Sequence, residues 1–450
     1  PPSTATVGTS PHAALPDDAA APPSTAATAT PFASAPAAAA ISAAAVSATT
    51  GVVGTSAGDL GSQRLQAILS GLRAQGVRGL PVAVELASGS YTIDRFLFDS
   101  SIQASSVRIV APSLGSVVLR ATVPTDRLFE FALGAPPVEL HGLELQSPLL
   151  VSGGTLTLLG CQIRPGSSRG AGRTDLPPAI RYGGALLLAG GSLVAEQSNF
   201  TDNVARFGGG LHASAGDASF AGCLFARNAA SEHGGGISLS GDARVVLSNG
   251  SLLVANSLLG NGFVNSVWVH PAETPPASAS LSYTLPAPLG RWVDGSRGSS
   301  TGWPLRGSKT ELNHDYPNPC AAGLYGDVQS VQAQSGPWCS GICPAGRCCP
   351  QNTTAPQACV RGHYCPEGCS IPAPCPPGTV GGEMGLYSRE QCTPVPAGAW
   401  SAAGAAQGVN CSRGYFNPLP GATNQSACIS CPSFSTTTRE GATGESDCEW

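Results

Sequence analysis

Apolar positions first acquire a period at Leu65, Ile68, Leu69 and Leu72, the i, i+3, i+4, i+7 spacing of one helical face. Asp59 or Ser62 is placed to cap this helix, and Gly76 lies just past its expected end. From Val82 the pattern changes to short β-rich runs at 82–86, 107–110, 116–119, 138–145 and 155–163, punctuated by Gly, Pro and Ser. Many short strands with turn signals predict a sandwich, a barrel or a solenoid.

Internal repetition decides among these. Tyr182-Gly-Gly-Ala-Leu, Phe207-Gly-Gly-Gly-Leu and His233-Gly-Gly-Gly-Ile align, with Phe200-Thr-Asp-Asn203 and Phe225-Ala-Arg-Asn228 between them. The glycine pairs begin at 183, 208 and 234, a period of 25 and then 26 residues. Leu258-Leu-Gly-Asn261 reads as a weaker copy, and an earlier one ends at Cys161-Gln-Ile163. A period in the twenties with β-rich content fits one turn of a parallel β-helix, whose coils pair with those above and below.

Coils stacked about 4.8 Å apart set equivalent residues over one another. The alignment predicts an inward apolar stack of Ile163, Phe200, Phe225 and Leu258, and an amide ladder of Asn203, Asn228 and Asn261. Tyr182, Phe207 and His233 form an aromatic column whose expected place is inside the coil; pointing outward, it is the candidate exposed ladder of a carbohydrate-binding face. Arg206 falls beside Glu232 and Asp202 beside Arg227, so charges alternate between coils. A further column reads Cys161, Ser198, Cys223, Asn256. Its two cysteines then lie about 9.6 Å apart, two coils at about 4.8 Å, beyond disulfide reach of about 7 Å. Cys161 and Cys223 are expected to be free and buried.

These GG-[AG]-[LI] and FxxN motifs resemble the repeats of chlamydial polymorphic outer membrane proteins, found also in many large eukaryotic surface proteins. Val84-Glu-Leu-Ala-Ser-Gly-Ser-Tyr91, following a helix, resembles the first coil of pectin-lyase-like β-helices. Together the likeness covers about residues 59 to 270 and implies a right-handed parallel β-helix. That fold hosts adhesins, lyases and inert stalks, so it does not itself specify a function.

Composition divides the rest. Residues 1–57 contain no Lys, Arg or Glu and are almost wholly Ala, Pro, Ser, Thr and Gly. Such a segment cannot bury enough apolar area to offset its chain entropy, and it reads as a disordered linker or an O-glycosylated stalk. The β-helix with its capping helix is assigned to 58–270, a Pro/Ser/Gly-rich connector with Trp292, Trp303 and Tyr316 to 271–319, and a cysteine-rich tail to 320–450. The connector is a candidate cover for the open end of the coil. The fold class is therefore all-β: a parallel β-helix, then small disulfide-rich modules, behind a disordered N-terminal segment.

Fourteen of the 16 Cys fall between Cys320 and Cys448. That density in a Gly- and Pro-rich stretch means disulfides and an oxidising compartment. Sequons at Asn199, Asn249, Asn352, Asn410 and Asn424 are glycosylation candidates that agree with it. Sixteen residues separate Cys375 from Cys392, Cys411 from Cys428 and Cys431 from Cys448, which suggests three bridges. Cys320, Cys339, Cys343, Cys348, Cys349, Cys359, Cys365 and Cys369 are left to pair among themselves, in a pattern the spacing leaves open. Gly362-His-Tyr-Cys-Pro-Glu-Gly368, Cys375-Pro-Pro-Gly-Thr379 and Cys428-Ile-Ser-Cys-Pro432 resemble the cysteine-rich repeats of ephrin-receptor-like surface proteins. Those repeats place C-x-x-C at each module junction, whereas Val395 and Gly414 stand here where cysteines are expected.

The net charge of −5, with 22 Arg and the single Lys309, is spread without a basic patch. That excludes a nucleic-acid surface, which needs clustered cations. No stretch of about 18 strongly apolar residues predicts a membrane span. The start at Pro1, without Met or a recognisable leader, fits a mature protein or a piece of a longer one.

Candidate chemistry is sparse. Cys428-x-x-Cys431 lacks a partner at zinc-finger spacing, so no metal site is assigned. Asp217 and Asp242 sit in similar Gly-Asp-Ala turns one coil apart; with no third carboxylate in the column they read as turn residues rather than a calcium site. Polysaccharide hydrolases need close acids, and lyases need carboxylates on calcium with a basic residue. Glu196, Asp202, Asp217, Glu232 and Asp242 do not gather in the expected register, and His212, His233 and His270 are expected in separate contexts. No catalytic residue and no cofactor is assigned. The expected role is a non-catalytic structural or adhesive component of a cell surface or matrix. Its alternatives are a carbohydrate-binding or receptor platform and, further off, a polysaccharide lyase or hydrolase. Partners are open, an extracellular polysaccharide or other surface proteins being the candidates.

Overall fold

The computed structural model describes residues 41–42, 45–48, 52–53, 59–123, 126–165, 181–260, 262–270, 279–294 and 311–450. The helix Asp59–Gly71 buries Leu65, Ile68 and Leu69, with Leu72 just beyond it, and closes the first coil. Ser62 lies inside it, and its hydroxyl accepts the Thr92 backbone N–H at 2.9 Å instead of capping the start. Short strands at Ile41–Ser42, Ala45–Ala48 and Val52–Val53 fall within the stretch read as disordered, and Val52–Val53 pairs in parallel with Glu85–Leu86. The other residues of 1–57 lie outside the described ones.

From Pro81 the chain winds through three parallel sheets stacked as in a β-helix. The longest includes Pro81–Leu86, Ser106–Val110, Val138–His141, Leu149–Leu159, Leu186–Glu196, Leu211–Ala221, Ile237–Leu239 and Val267–Val269. A second holds Gly89–Ile93, Val117–Ala121, Glu144–Leu145, Gln162–Ile163, Asn199–Thr201, Leu224–Ala226 and Leu252–Val254. A third joins Val204–Phe207, Ala229–His233 and Ser257–Leu258. Alternate residues point inward, and one continuous core runs from Leu65 to Tyr316. Phe200 and Phe225 stack inside it with ring centroids 4.5 Å apart.

The register holds through Asn228 and then departs from the expected one. Phe225 pairs with Leu253, not Leu258, which pairs with Ala230. The amide ladder passes from Asn203 to Asn228 to Asn256: each Nδ2 donates to the next Oδ1 at 3.0 Å. Asn261 lies outside the described residues. Asn256 therefore leaves the cysteine column, which reads Cys161, Ser198, Cys223, Ser251; each of these serine hydroxyls accepts the N–H of the cysteine one coil earlier at 3.0 Å. The cause is coil length. The interval between successive ladder residues grows from 25 to 28, and Leu253-Val-Ala-Asn256 carries the FxxN position with leucine for phenylalanine.

The glycine pairs have two separate jobs. Gly183, Gly208 and Gly234 adopt φ of +64°, +67° and +67°, the left-handed region a side chain disfavours. At the second position the coils approach too closely for a side chain, since a Cβ on Gly209 would meet the Ala229 carbonyl oxygen at 2.4 Å.

The coil continues past residue 270. Ser280–Tyr283 adds in parallel to Arg244–Leu247, so the boundary at 270 falls short. Glu311–Leu312 then runs antiparallel against Val267–Trp268, and Tyr316 bridges Leu253, which covers the exposed sheet edges with connector residues. Trp303 lies outside the described residues, whereas Trp292 pairs with Asn318. The tail is a run of seven two-residue hairpins, from Leu324–Tyr325 with Gly341–Ile342 to Thr436–Thr437 with Cys448–Glu449.

Candidate functional site

The outer face of the longest sheet carries the most unusual side chains. Leu186, Leu188, Leu211, Ala213, Ile237, Leu239, Val267 and Val269 point into the core. The intervening residues Leu187, His212, Ser238 and Trp268 therefore share the opposite face, in a column fixed by pairing from strand to strand. On this column lies the aromatic column. Tyr182 contacts His212 with ring centroids 4.7 Å apart, Phe207 stacks on Tyr182 at 5.5 Å, and His233 lies flat on Trp268 at 3.9 Å. Tyr182, Phe207 and His233 are thus a layer outside the coil, which corrects their expected place inside it. The left-handed glycine after each ring turns the chain from the third sheet into the longest one.

The histidines, too, are not in separate contexts. His270 sits 6.4 Å from both His212 and His233 and 5.6 Å from Phe207 by ring centroid. Its Nε2 lies 3.4 Å from the Ser238 hydroxyl. His212 is 4% exposed, and its Nδ1 has no hydrogen-bond partner. Burial, then the neighbouring His270 and Arg127, pushes its pKa down to about 4, so the ring is neutral at neutral pH. Burial and His233 lower His270 as well. Arg127 is itself lowered to about 10 by burial; it donates to the Leu149 and Tyr182 carbonyls at 2.8 Å and so ties Tyr182 to the sheet. The half-buried rings of Tyr182, His233 and Trp268 leave edges facing solvent. Arg181 and Arg206 lie over the Tyr182 and Phe207 rings at 5.3 and 5.5 Å. The layer offers stacking surface and, in His212 and His270, imidazoles whose protonation burial disfavours; among the described residues it holds no carboxylate that could act as an acid or base.

The acids considered for catalysis are dispersed. Asp202 accepts two bonds from the Arg227 guanidinium, each 2.8 Å, and Glu232 pairs with Arg206. Asp217 and Asp242 do not stack. Asp217 aligns with Ser192 below and Arg244 above, and its carboxylate lies 3.9 Å from that guanidinium. A turn at Gly241–Asp242 sets Asp242 two residues out of register. Glu196 is exposed at a strand end. Among the described residues the one cluster with metal-ligand proximity is Cys348, Cys365 and Cys369, and all three are in disulfides.

Cys161 and Cys223 are free, buried and inside the coil. Burial raises both thiols to about 11, and each donates to a carbonyl of the previous coil, Leu140 at 3.1 Å and Ala195 at 3.3 Å. The tail carries seven bridges. Cys375–Cys392, Cys411–Cys428 and Cys431–Cys448 join at the equal spacings. The eight remaining cysteines pair as Cys320–Cys339, Cys343–Cys349, Cys348–Cys369 and Cys359–Cys365. Where cysteines are absent, Val395 is fully buried and Gly414 donates its N–H to the Thr437 hydroxyl at 2.9 Å. Of the sequon asparagines, Asn249, Asn352, Asn410 and Asn424 are exposed and Asn199 is half-buried on its strand.

Residues 398–448 match the family model described as tyrosine-protein kinase ephrin type A/B receptor-like. That segment holds two of the equally spaced bridges, and its disulfide content points to an extracellular setting. No curated protein matches the chain. Among the described residues no helix is long and apolar enough to cross a membrane.

Proposed function

We propose that this chain is a non-catalytic structural or adhesive component of an extracellular surface or matrix. In this reading a β-helix with polymorphic-outer-membrane-protein-like repeats serves as a rod, and disulfide-stapled modules extend it. The observation that carries the reading is the use of the coil's charged side chains. Asp202–Arg227 and Glu232–Arg206 tie neighbouring coils together, and the available acids do not converge on a groove. Side chains spent on holding coils in register serve stiffness rather than acid–base chemistry. The half-exposed row of Tyr182, His233 and Trp268 favours a second reading, a carbohydrate-binding platform on the outer face.

Incubation of the full chain with uronate and neutral polysaccharides, with and without calcium, separates these readings. Polymer length and retention of the protein on the polymer are followed together. Unchanged length without retention is the expected outcome. Retention without cleavage moves the assignment to the binding platform, and shortening of any polymer overturns the non-catalytic reading.

A further inference from the structure

We propose that the histidine–aromatic layer on the outer face of the coil is an acid-releasable cover, held down at neutral pH and loosened when His212 takes up a proton. The argument starts from what surrounds that ring. Tyr182, with Arg181 over its ring, faces the His212 imidazole from the segment before the sheet, Arg127 from the loop before Leu128, and His270 from the residue after Val267–Val269. The residues beside it on the neighbouring strands, Leu187 and Ser238, carry no charge. Behind His270 stand His233, Phe207 and Trp268, with Arg206 over the Phe207 ring. Among the described residues no carboxylate belongs to this set. Glu232 is engaged by Arg206, and Glu130, which acts on Arg127, is engaged by Arg95.

A second proton therefore enters a site that already holds a buried guanidinium and two more imidazoles, with its own Nδ1 lacking a partner. Electrostatics oppose that charge while the layer stays closed, and water relieves it once the layer lifts. The direction follows from linkage. His212 titrates lower in the closed layer than in the open one, so the open form binds more protons between about pH 4 and about pH 6.5. Closure is favoured above that window and weakens as pH falls through it. The core beneath has no part in the change, because Leu211 and Ala213 point the other way.

Hydrogen exchange on the full chain tests this, with amide rates corrected for their intrinsic pH dependence. From about pH 7 to about pH 4, protection in the turns 182–185, 207–210 and 233–236 and at His270 is expected to fall by at least about tenfold and to return on neutralisation, while the strands beneath keep theirs. Protection in 117–121 and 138–145 is expected to hold. His212→Leu, which copies the leucine at position 187 of the same column, is expected to abolish the acid response. Unchanged protection in the natural chain, or the same loss in H212L, overturns the proposal. Should H212L fail to fold, the imidazole titrations of the natural chain decide: a His212 midpoint near the ordinary 6.5 overturns the proposal, and one well below it, coincident with the loss of protection, supports it.

Discussion

Replacing Asn228 with leucine is expected to destabilise the coil by about 1–3 kcal/mol, the cost of a buried polar group left without a partner. Asn228 is fully buried, and its Oδ1 accepts both the backbone N–H and the side-chain amide of Asn203 at 3.0 Å. Its Nδ2 donates to the Phe200 carbonyl at 2.7 Å and to Asn256 Oδ1 at 3.0 Å. Leucine has nearly the same size but strands the Asn203 N–H between coils and takes one of two donors from the Phe200 carbonyl, which keeps its place in the parallel ladder with 224–226. The Asn203 side chain keeps the Ile163 and Thr201 carbonyls, so the loss centres on the Asn203 backbone N–H. Equilibrium unfolding in urea measures the shift. A change within about 0.5 kcal/mol, the usual range for surface substitutions, would show that Asn228 is not a rung of a buried ladder.

Converting both Cys375 and Cys392 to serine is expected to cost about 2–5 kcal/mol, the usual range for a native bridge in a small extracellular domain. The loss should stay within the module. Its apolar cluster consists of Cys375, Leu386 and Cys392 with Tyr364 against them, so the bridge is most of the core. A domain with so little apolar area depends on its staples. The double variant avoids leaving a lone thiol to exchange with neighbouring bridges. Proteolysis in 376–391, with the coil still protected, is the predicted result. A module that resists cleavage as the natural chain does would mean that hairpin pairing alone holds it.

The period of the coil is legible in the sequence because two independent constraints mark it: a left-handed turn and a close backbone contact each require glycine, once per coil. Columns of Phe, Asn and paired charges then follow wherever coil length is constant. The reading fails where length changes. Leu258-Leu-Gly-Asn261 looks more like a repeat than Leu253-Val-Ala-Asn256, yet the structure puts Leu253 over Phe225. A turn at Gly241–Asp242 likewise displaces Asp242 from Asp217, which composition alone does not reveal.

Faces are harder to read than columns. The 25- and 26-residue spacing aligns Tyr182, Phe207 and His233, but only the direction of the glycine turn decides that they lie outside. His212, His233 and His270 are 21 and 37 residues apart and belong to different positions within their coils, so no spacing rule unites them. They meet because His212 lies on the outer face of its strand, the turn after His233 folds that ring back over the sheet, and His270 follows directly on Val267–Val269. One signal was present: His212 occupies an outward position between the inward Leu211 and Ala213, and a polar ring there needs either solvent or a cover. In the tail, equal spacing marked the three last pairs, whereas the crossed arrangement of Cys343–Cys349 and Cys348–Cys369 depends on which hairpins stack.

Mechanical extension of the full chain, held at its two ends in oxidising and then reducing buffer, tests the structural role most directly. In oxidising buffer abrupt ruptures are expected from the coil, while the tail lengthens only by the chain outside its disulfide loops. After reduction the tail should release the length held in those loops, and the coil ruptures should stay the same, since Cys161 and Cys223 form no bridge. Smooth extension without ruptures in both buffers, the behaviour of an unfolded chain, would contradict a load-resisting rod.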